Sequence, residues 1–221
     1  MVLDNASVDE TRRIAMDCAR ELGNVVVADS DAFGYTQAER MTALLHYGQT
    51  AFFADFVLLL DADEFLSAPD RPALEAMLEA IPPGGVGLMP WRTFVLRPGE
   101  AARAAEDPPR LIRWRRAEER PVFRKAVLRL DGAHRPELRI EQGNNGVTAA
   151  SGEAPPAVDL DGLPLLHVPV RSHGQIVAKG VVGWMAYLAR NPEARRDGRP
   201  GLPVARGLRP GRGGVPRSRG G

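Results

Sequence analysis

The run Phe56-Val57-Leu58-Leu59-Leu60 stops abruptly against Asp61-Ala62-Asp63-Glu64. Consecutive apolar residues leave no polar face, so a strand built from them must be buried on both sides. The three carboxylates then stand where an open α/β sheet puts its ligand, outside the carboxyl ends of its strands. Such oxygens suit Mg²⁺ or Mn²⁺, hard cations that are often held together with substrate phosphates. Taken alone, Asp-x-Asp is a short motif that describes a solvated acidic turn equally well.

The chain ahead of this run alternates between strand and helix signals. Met1-Val2-Leu3 reads as the end of a strand. Ser7-Val8-Asp9-Glu10 has the form of a capping box, and Ile14, Cys18 and Leu22 follow at a spacing of four, with Gly23 as the stop. Val25–Ala28 reads as a second strand. Thr36-Gln37-Ala38-Glu39 opens a second helix that turns Met41, Leu44, Leu45 and Phe52 inward. A β-α-β-α-β order predicts a mostly parallel, doubly wound sheet with helices on both faces.

Beyond the acidic motif, the spacing of Leu74, Met77, Leu78 and Ile81 predicts a helix over residues 70–81, ended by Pro82-Pro83-Gly84-Gly85. Strands are expected over 86–91, 122–130, 137–141 and 163–168, and a helix over 176–188 before Asn191-Pro192. Residues 99–121, rich in Arg, Glu and Pro, read as a loop over the site.

Composition adds limits rather than a fold. One cysteine, Cys18, excludes an internal disulfide framework and any cysteine-rich zinc site, and its helical position predicts a buried thiol. No apolar stretch approaches the roughly 20 residues of a membrane span, and no signal peptide opens the chain. The expected location is therefore cytoplasmic, with at most peripheral association at the inner face of the membrane. The net charge of +1 conceals an asymmetry: residues 195–221 hold eight arginines and one aspartate, +7, leaving −6 on the remainder. Arg, Gly and Pro without an apolar period predict a disordered tail over 193–221. With no aromatics between the arginines and an acidic body, nucleic acid is not an expected partner.

Several local motifs, taken in order, resemble family 2 glycosyltransferases. They are Asp4-Asn5-Ala6-Ser7-Val8-Asp9-Glu10-Thr11, Leu60-Asp61-Ala62-Asp63-Glu64-Phe65-Leu66, Gln37, Arg124-Lys125-Ala126-Val127-Leu128, Gly132-Ala133-His134, and Leu166-His167-Val168-Pro169-Val170-Arg171-Ser172 leading to Lys179. The resemblance spans residues 1–192 and implies a GT-A fold lacking its first strand. Asn145 stands where the resemblance leads one to expect a histidine. It implies a metal-dependent, inverting transfer of sugar from a nucleotide-sugar donor to a glycan, lipid or protein acceptor.

In that reading the metal, Mn²⁺ or Mg²⁺, is held by Asp61, Asp63 and His167. Asp4, Asn5, Asp61, Arg171 and Lys179 bind the nucleotide diphosphate. Glu64 and His134 are the catalytic candidates for activating the acceptor hydroxyl, with Glu137 a further possibility, and His173 is a second candidate ligand. Each has a plain structural alternative: a helix-start charge for Asp9, a hydrogen-bonded strand end for His167, a solvated cation for Arg171 or Lys179. Two rival functions remain: a metal-dependent nucleotidyltransferase, and an inactive fragment or Arg/Gly-tail binding module.

Overall fold

The structure, a computed structural model, describes residues 1–31, 36–96 and 112–191, apart from the side chains at 173 and 190. The expected tail and most of the expected loop over the site therefore lie outside the described residues, as does the His173 side chain.

Chain order begins with β1 (Val2–Asn5), α1 (Thr11–Leu22), β2 (Val27–Ser30), α2 (Gln37–Phe52), β3 (Phe56–Leu58), β4 (Glu64–Leu66) and α3 (Arg71–Leu78). It continues with β5 (Val86–Val95), β6 (Trp114–Arg115), β7 (Arg124–Arg129), β8 (Leu138–Ile140), a 3₁₀ turn (Gln142–Asn144), β9 (Val147–Ala149), β10 (Ala157–Asp159), β11 (Leu165–His167) and α4 (His173–Arg190). Side-chain caps hold two helix starts: Asp70 accepts from the Ala73 amide at 2.8 Å and Ser172 from the Gln175 amide at 3.2 Å.

The strands do not assemble as the local pattern predicts. β1 and β2 pair in parallel as a separate two-stranded sheet. β3 pairs with β7, antiparallel, and the main sheet runs β3-β7-β5-β11-β4, with β6 and β10 also on β5. Within it β5 is antiparallel to β7 and parallel to β10 and β11, while β11 is antiparallel to β4. The result is a mixed sheet curled into a half-barrel. This overturns the expected mostly parallel, doubly wound GT-A sheet and, with it, the resemblance to family 2 glycosyltransferases at the level of fold. The physical reason is that an apolar run specifies a strand but not its neighbour. β7 carries Ala126, Val127 and Leu128 fully buried on both faces and takes the place beside β3 that a β-α-β reading assigns to a parallel strand.

The curl follows from connectivity. β3 and β4 stand at the two ends of the sheet path, yet only residues 59–63 join them. A flat sheet would set them four strand spacings of about 4.8 Å apart, near the limit that a fully extended connection of this length can span. Curling closes that gap and makes the acidic turn the bridge between the two edges.

Two apolar clusters fill the faces of β7 and β5. Leu45 of α2 packs with Leu59, Val86, Ala126, Leu128, Leu138, Ile140 and Val147. Leu78, the last residue of α3, packs with Ile81, Met89, Val127, Leu160, Leu163 and Leu165. Gly87 lets the second cluster close directly on β5, since a Cβ there would come within 2.5 Å of Leu160 and 2.7 Å of Ile81. By contrast α1 buries no residue fully, and Cys18 is exposed rather than buried. Phe52, expected inward, is also exposed. Ser7 does not cap α1. Its amide instead donates to Asp4 Oδ2 at 3.1 Å, and the helix starts at Thr11, whose amide is held by Asp9.

Candidate functional site

The register of β3 against β7 builds the site. Leu58 pairs with Val127, so as the chain leaves β3 toward Asp61, β7 arrives two residues further on at Lys125. Lys125 shares the face of Val127 by the period of two. Its side chain has no exposed surface, and its ammonium lies 2.7 Å from Asp61 Oδ2, 2.9 Å from Glu64 Oε1 and 3.0 Å from the Gly143 carbonyl. Glu64 is also fully buried at its side chain, and its Oε2 accepts from the Asp61 amide at 2.8 Å. Burial pushes the Glu64 carboxyl above its ordinary pKa, opposed by Lys125 and the Asp61 amide.

Asp61 is saturated from three sides. Besides Lys125, its Oδ1 accepts from Gln37 Nε2 at 2.9 Å and from Asn144 Nδ2 at 3.1 Å. Gln37 opens α2, and Asn144 lies fully buried in the 3₁₀ turn with a left-handed backbone, φ 58°. Gly143 beside it has φ 81°, a conformation that glycine adopts without steric cost, and this turns its carbonyl onto Lys125.

Asp63 faces another way. Its Oδ2 lies 2.6 Å from Lys179 Nζ on α4, and Lys179 also donates to the Pro169 carbonyl. The Asp63 carbonyl accepts from the Val168 amide, which ties the acidic turn to the end of β11. His167 pairs with Glu64 across the β11–β4 ladder, and its ring stacks at 4.1 Å and 39° on Trp91. His167 Nδ1 is buried without a partner, and burial pushes the imidazole pKa down, so the ring is neutral at pH 7. The side chains of Asp61, Asp63 and Glu64 thus meet those of Lys125 and Lys179 within one cluster.

A second feature lies at the carboxyl ends of β1 and β2. Asp4, Ala6, Ser7, Arg12, Asp29, Ser30 and Asp31 line a cleft of about 380 Å³. Asp4 is 4% exposed, and its Oδ1 is buried without a partner. Arg12 forks onto Asp29 with two contacts of 2.8 Å, fixing one wall. Asp31 precedes Gln37 by six positions, so chain reach keeps the cleft wall within about 20 Å of the residue that binds Asp61.

Among the described residues, no group of three or more His, Cys, Asp and Glu side chains is arranged to hold a metal ion. The donors of the acidic turn differ in how they suit one. Asp61 has both oxygens committed. Asp63, engaged by a side chain that is half exposed, and the orphaned Nδ1 of His167 have suitable chemistry for Mn²⁺, which accepts carboxylate and imidazole together.

The remaining expected residues are scattered. Asn5 is exposed next to Asp4. Arg171 uses its backbone amide to hold Gln175. His134 is exposed and meets His46 edge-on at 6.4 Å, away from the partners of the acidic turn. Glu137 is held by Arg135, which lowers its carboxyl pKa. Lys125 and Asn144 carry no expected role, yet they organise Asp61. One signal was available for Lys125: a single lysine leading the apolar run Ala126-Val127-Leu128 is costly to bury unless paired. The chain matches no family model, no curated protein and no solved structure.

Proposed function

We propose that this chain transfers a sugar from a nucleotide-diphosphate sugar to an acceptor hydroxyl, with the Asp4 cleft taking the nucleoside and the Asp61–Glu64 turn facing the diphosphate. The observation that carries this reading is Asp4 Oδ1, a buried carboxylate oxygen without a partner, on a residue that lines a cleft at the ends of two parallel strands. Such an oxygen is costly to bury unless a ligand supplies a donor, and ribose hydroxyls and base N–H groups are donors of the right kind. A fold places no demand on chemistry, so the reading rests on these groups and not on architecture.

In the reaction, the bond between the anomeric carbon and the diphosphate oxygen breaks as the acceptor oxygen bonds to the opposite face of that carbon. The electron pair stays on the diphosphate, and the hydroxyl proton passes to a base. A divalent cation held by Asp63 and His167 would stabilise the charge growing on the leaving group. Asp61, immobilised by Lys125, Gln37 and Asn144, holds the backbone of the turn in shape, so that presenting Asp63 requires only the release of Lys179. Glu64, with no exposed side-chain surface and an ammonium at 2.9 Å, is a positioning residue in this scheme. Lys179, released from Asp63, would reach the diphosphate.

The test is thermal unfolding of the full chain with UDP, GDP, ADP, CDP and dTDP, each with and without Mn²⁺. Ligand at a hundredfold excess over Kd stabilises by about 2.7 kcal/mol, which an unfolding curve resolves readily. One diphosphate should raise the transition, and Asp4→Asn, which keeps an acceptor for the Ser7 amide, should abolish that rise without lowering the unliganded transition. Indifference to all five nucleotides would sink the reading.

A further inference from the structure

Among the described residues, helix α4 is thinly covered along most of its length. Val177, Val181, Val182 and Met185 are each more than half exposed, and Ile176 is nearly so. A Cβ placed on Gly174, Gly180 or Gly183 would meet nothing within 4 Å, so no part of the described chain packs over those positions. Residues 176–183 are exposed all round the helix, but the apolar side chains gather on one side. At about 100° per residue, Val177, Val181, Met185 and Leu188 fall on one arc, while Lys179 lies about 160° from Val181. Lys179 is the side that faces the body, through Asp63 and the Pro169 carbonyl. The arc opposite that tether is an apolar strip without a partner.

Charge identifies the occupant. No acidic residue occurs in α4, and the residues that follow it from 195 to 221 hold eight arginines and one aspartate. Trp184 and Tyr187 stack on the same helix at 5.5 Å and 17°, an aromatic pair of the type that settles at a lipid headgroup boundary. An apolar helix strip, an aromatic pair and an adjoining block of positive charge together fit an anionic lipid surface. A second copy of the chain fits less well, because it would bring a second +7 segment against the first. We infer that α4 is an interfacial helix that lays Val177, Val181 and Met185 into an anionic bilayer surface. The inference does not depend on the transfer reaction.

Sedimentation of the full chain with vesicles tests it. Binding is expected to vesicles of phosphatidylglycerol and phosphatidylcholine, to weaken with added salt, and to be lost on phosphatidylcholine alone. Val181→Asp with Met185→Asp, both at exposed positions, should weaken it at least about tenfold, since two apolar anchors become charges at the membrane boundary. Met185→Ser provides a milder variant should the double variant lose its far-ultraviolet circular dichroism, and it should weaken binding in the same direction. Three results overturn the inference: no binding to either vesicle, binding unchanged by the α4 substitutions, or a dimer in solution that those substitutions dissociate.

Discussion

Lys125 Nζ lies 2.7 Å from Asp61 Oδ2, joining residues 64 positions apart in sequence, and the lysine has no exposed side-chain surface. In a flat sheet, β7 and β4 would stand three strand spacings of about 4.8 Å apart, beyond the reach of one lysine. The curl lets the same ammonium touch Glu64 as well. A single buried cation therefore ties β7, the neighbour of one edge strand, to β4 at the other edge and to the acidic turn.

Replacing that cation should be costly. Lys125→Met leaves the buried Glu64 carboxylate without its counter-charge, and breaking a buried pair from one side costs about 3–5 kcal/mol. Adding Glu64→Gln removes the stranded charge and should restore part of the loss. Urea unfolding of the parent, both single variants and the double variant closes the cycle, and strict additivity would show that the pair does not couple.

Removing Lys179 should affect Asp63 instead. The Lys179 side chain is about half exposed, so its loss costs stability at most about 1 kcal/mol. Lys179→Met frees Asp63, and Mn²⁺ alone should then raise the unfolding temperature more than it does in the parent chain. Nucleoside diphosphate binding should weaken in the same variant. If Mn²⁺ leaves both proteins unmoved, Asp63 serves only to anchor α4.

His167 should impose a pH dependence. Burial lowers its pKa from the ordinary 6.5, so as pH falls the unfolded chain takes up the proton first. Its contribution is therefore complete above 6.5 and declines as pH drops through that value toward the lower folded one. Stability in metal-free buffer should fall as the pH drops below the ordinary 6.5 of histidine. The slope should flatten in His167→Gln; an identical slope in both would locate the titration elsewhere.

Gly143 should resist substitution. At φ 81° an added Cβ meets Asn145 Nδ2 at 2.7 Å, a contact that a flexible side chain can relieve. The left-handed backbone remains, and Gly143→Ala should cost about 1–2 kcal/mol for that reason. It should also loosen the carbonyl that Lys125 shares, so the double variant with Lys125→Met should lose less than the sum of the two. Equilibrium unfolding would measure both.

The local elements were legible wherever one stretch of chain carried the whole signal. The apolar run at residues 56–60 does lead into an acidic turn, although the strand itself closes at Leu58. Helices appear where the apolar spacing places them, and Asp70 and Ser172 cap two of them. Asp4 and Asp63 could be singled out as acidic residues at strand ends. Cys18 and Phe52 could not be placed, because a helical period gives the direction of a side chain and says nothing of whether a neighbour covers it.

What the amino-acid order determined by itself was therefore the helices, the acidic turn and the strands that carry a clear apolar signal, whereas it does not announce the short strands β4, β6, β9 and β10. Helix hydrogen bonds, caps and left-handed glycines are satisfied within a few residues, whereas the strand β3 finds its partners on the distant β7. Tertiary structure alone decided that β7 lies beside β3, that the sheet curls, and that Lys125, Asn144 and Gln37 converge on Asp61. Those outcomes depend on competition among distant apolar faces for the same neighbours, and on where a charge can be buried only if another arrives to meet it. Neither leaves a periodic trace along the chain, which is why a parallel sheet could be read from residues that form a mixed one.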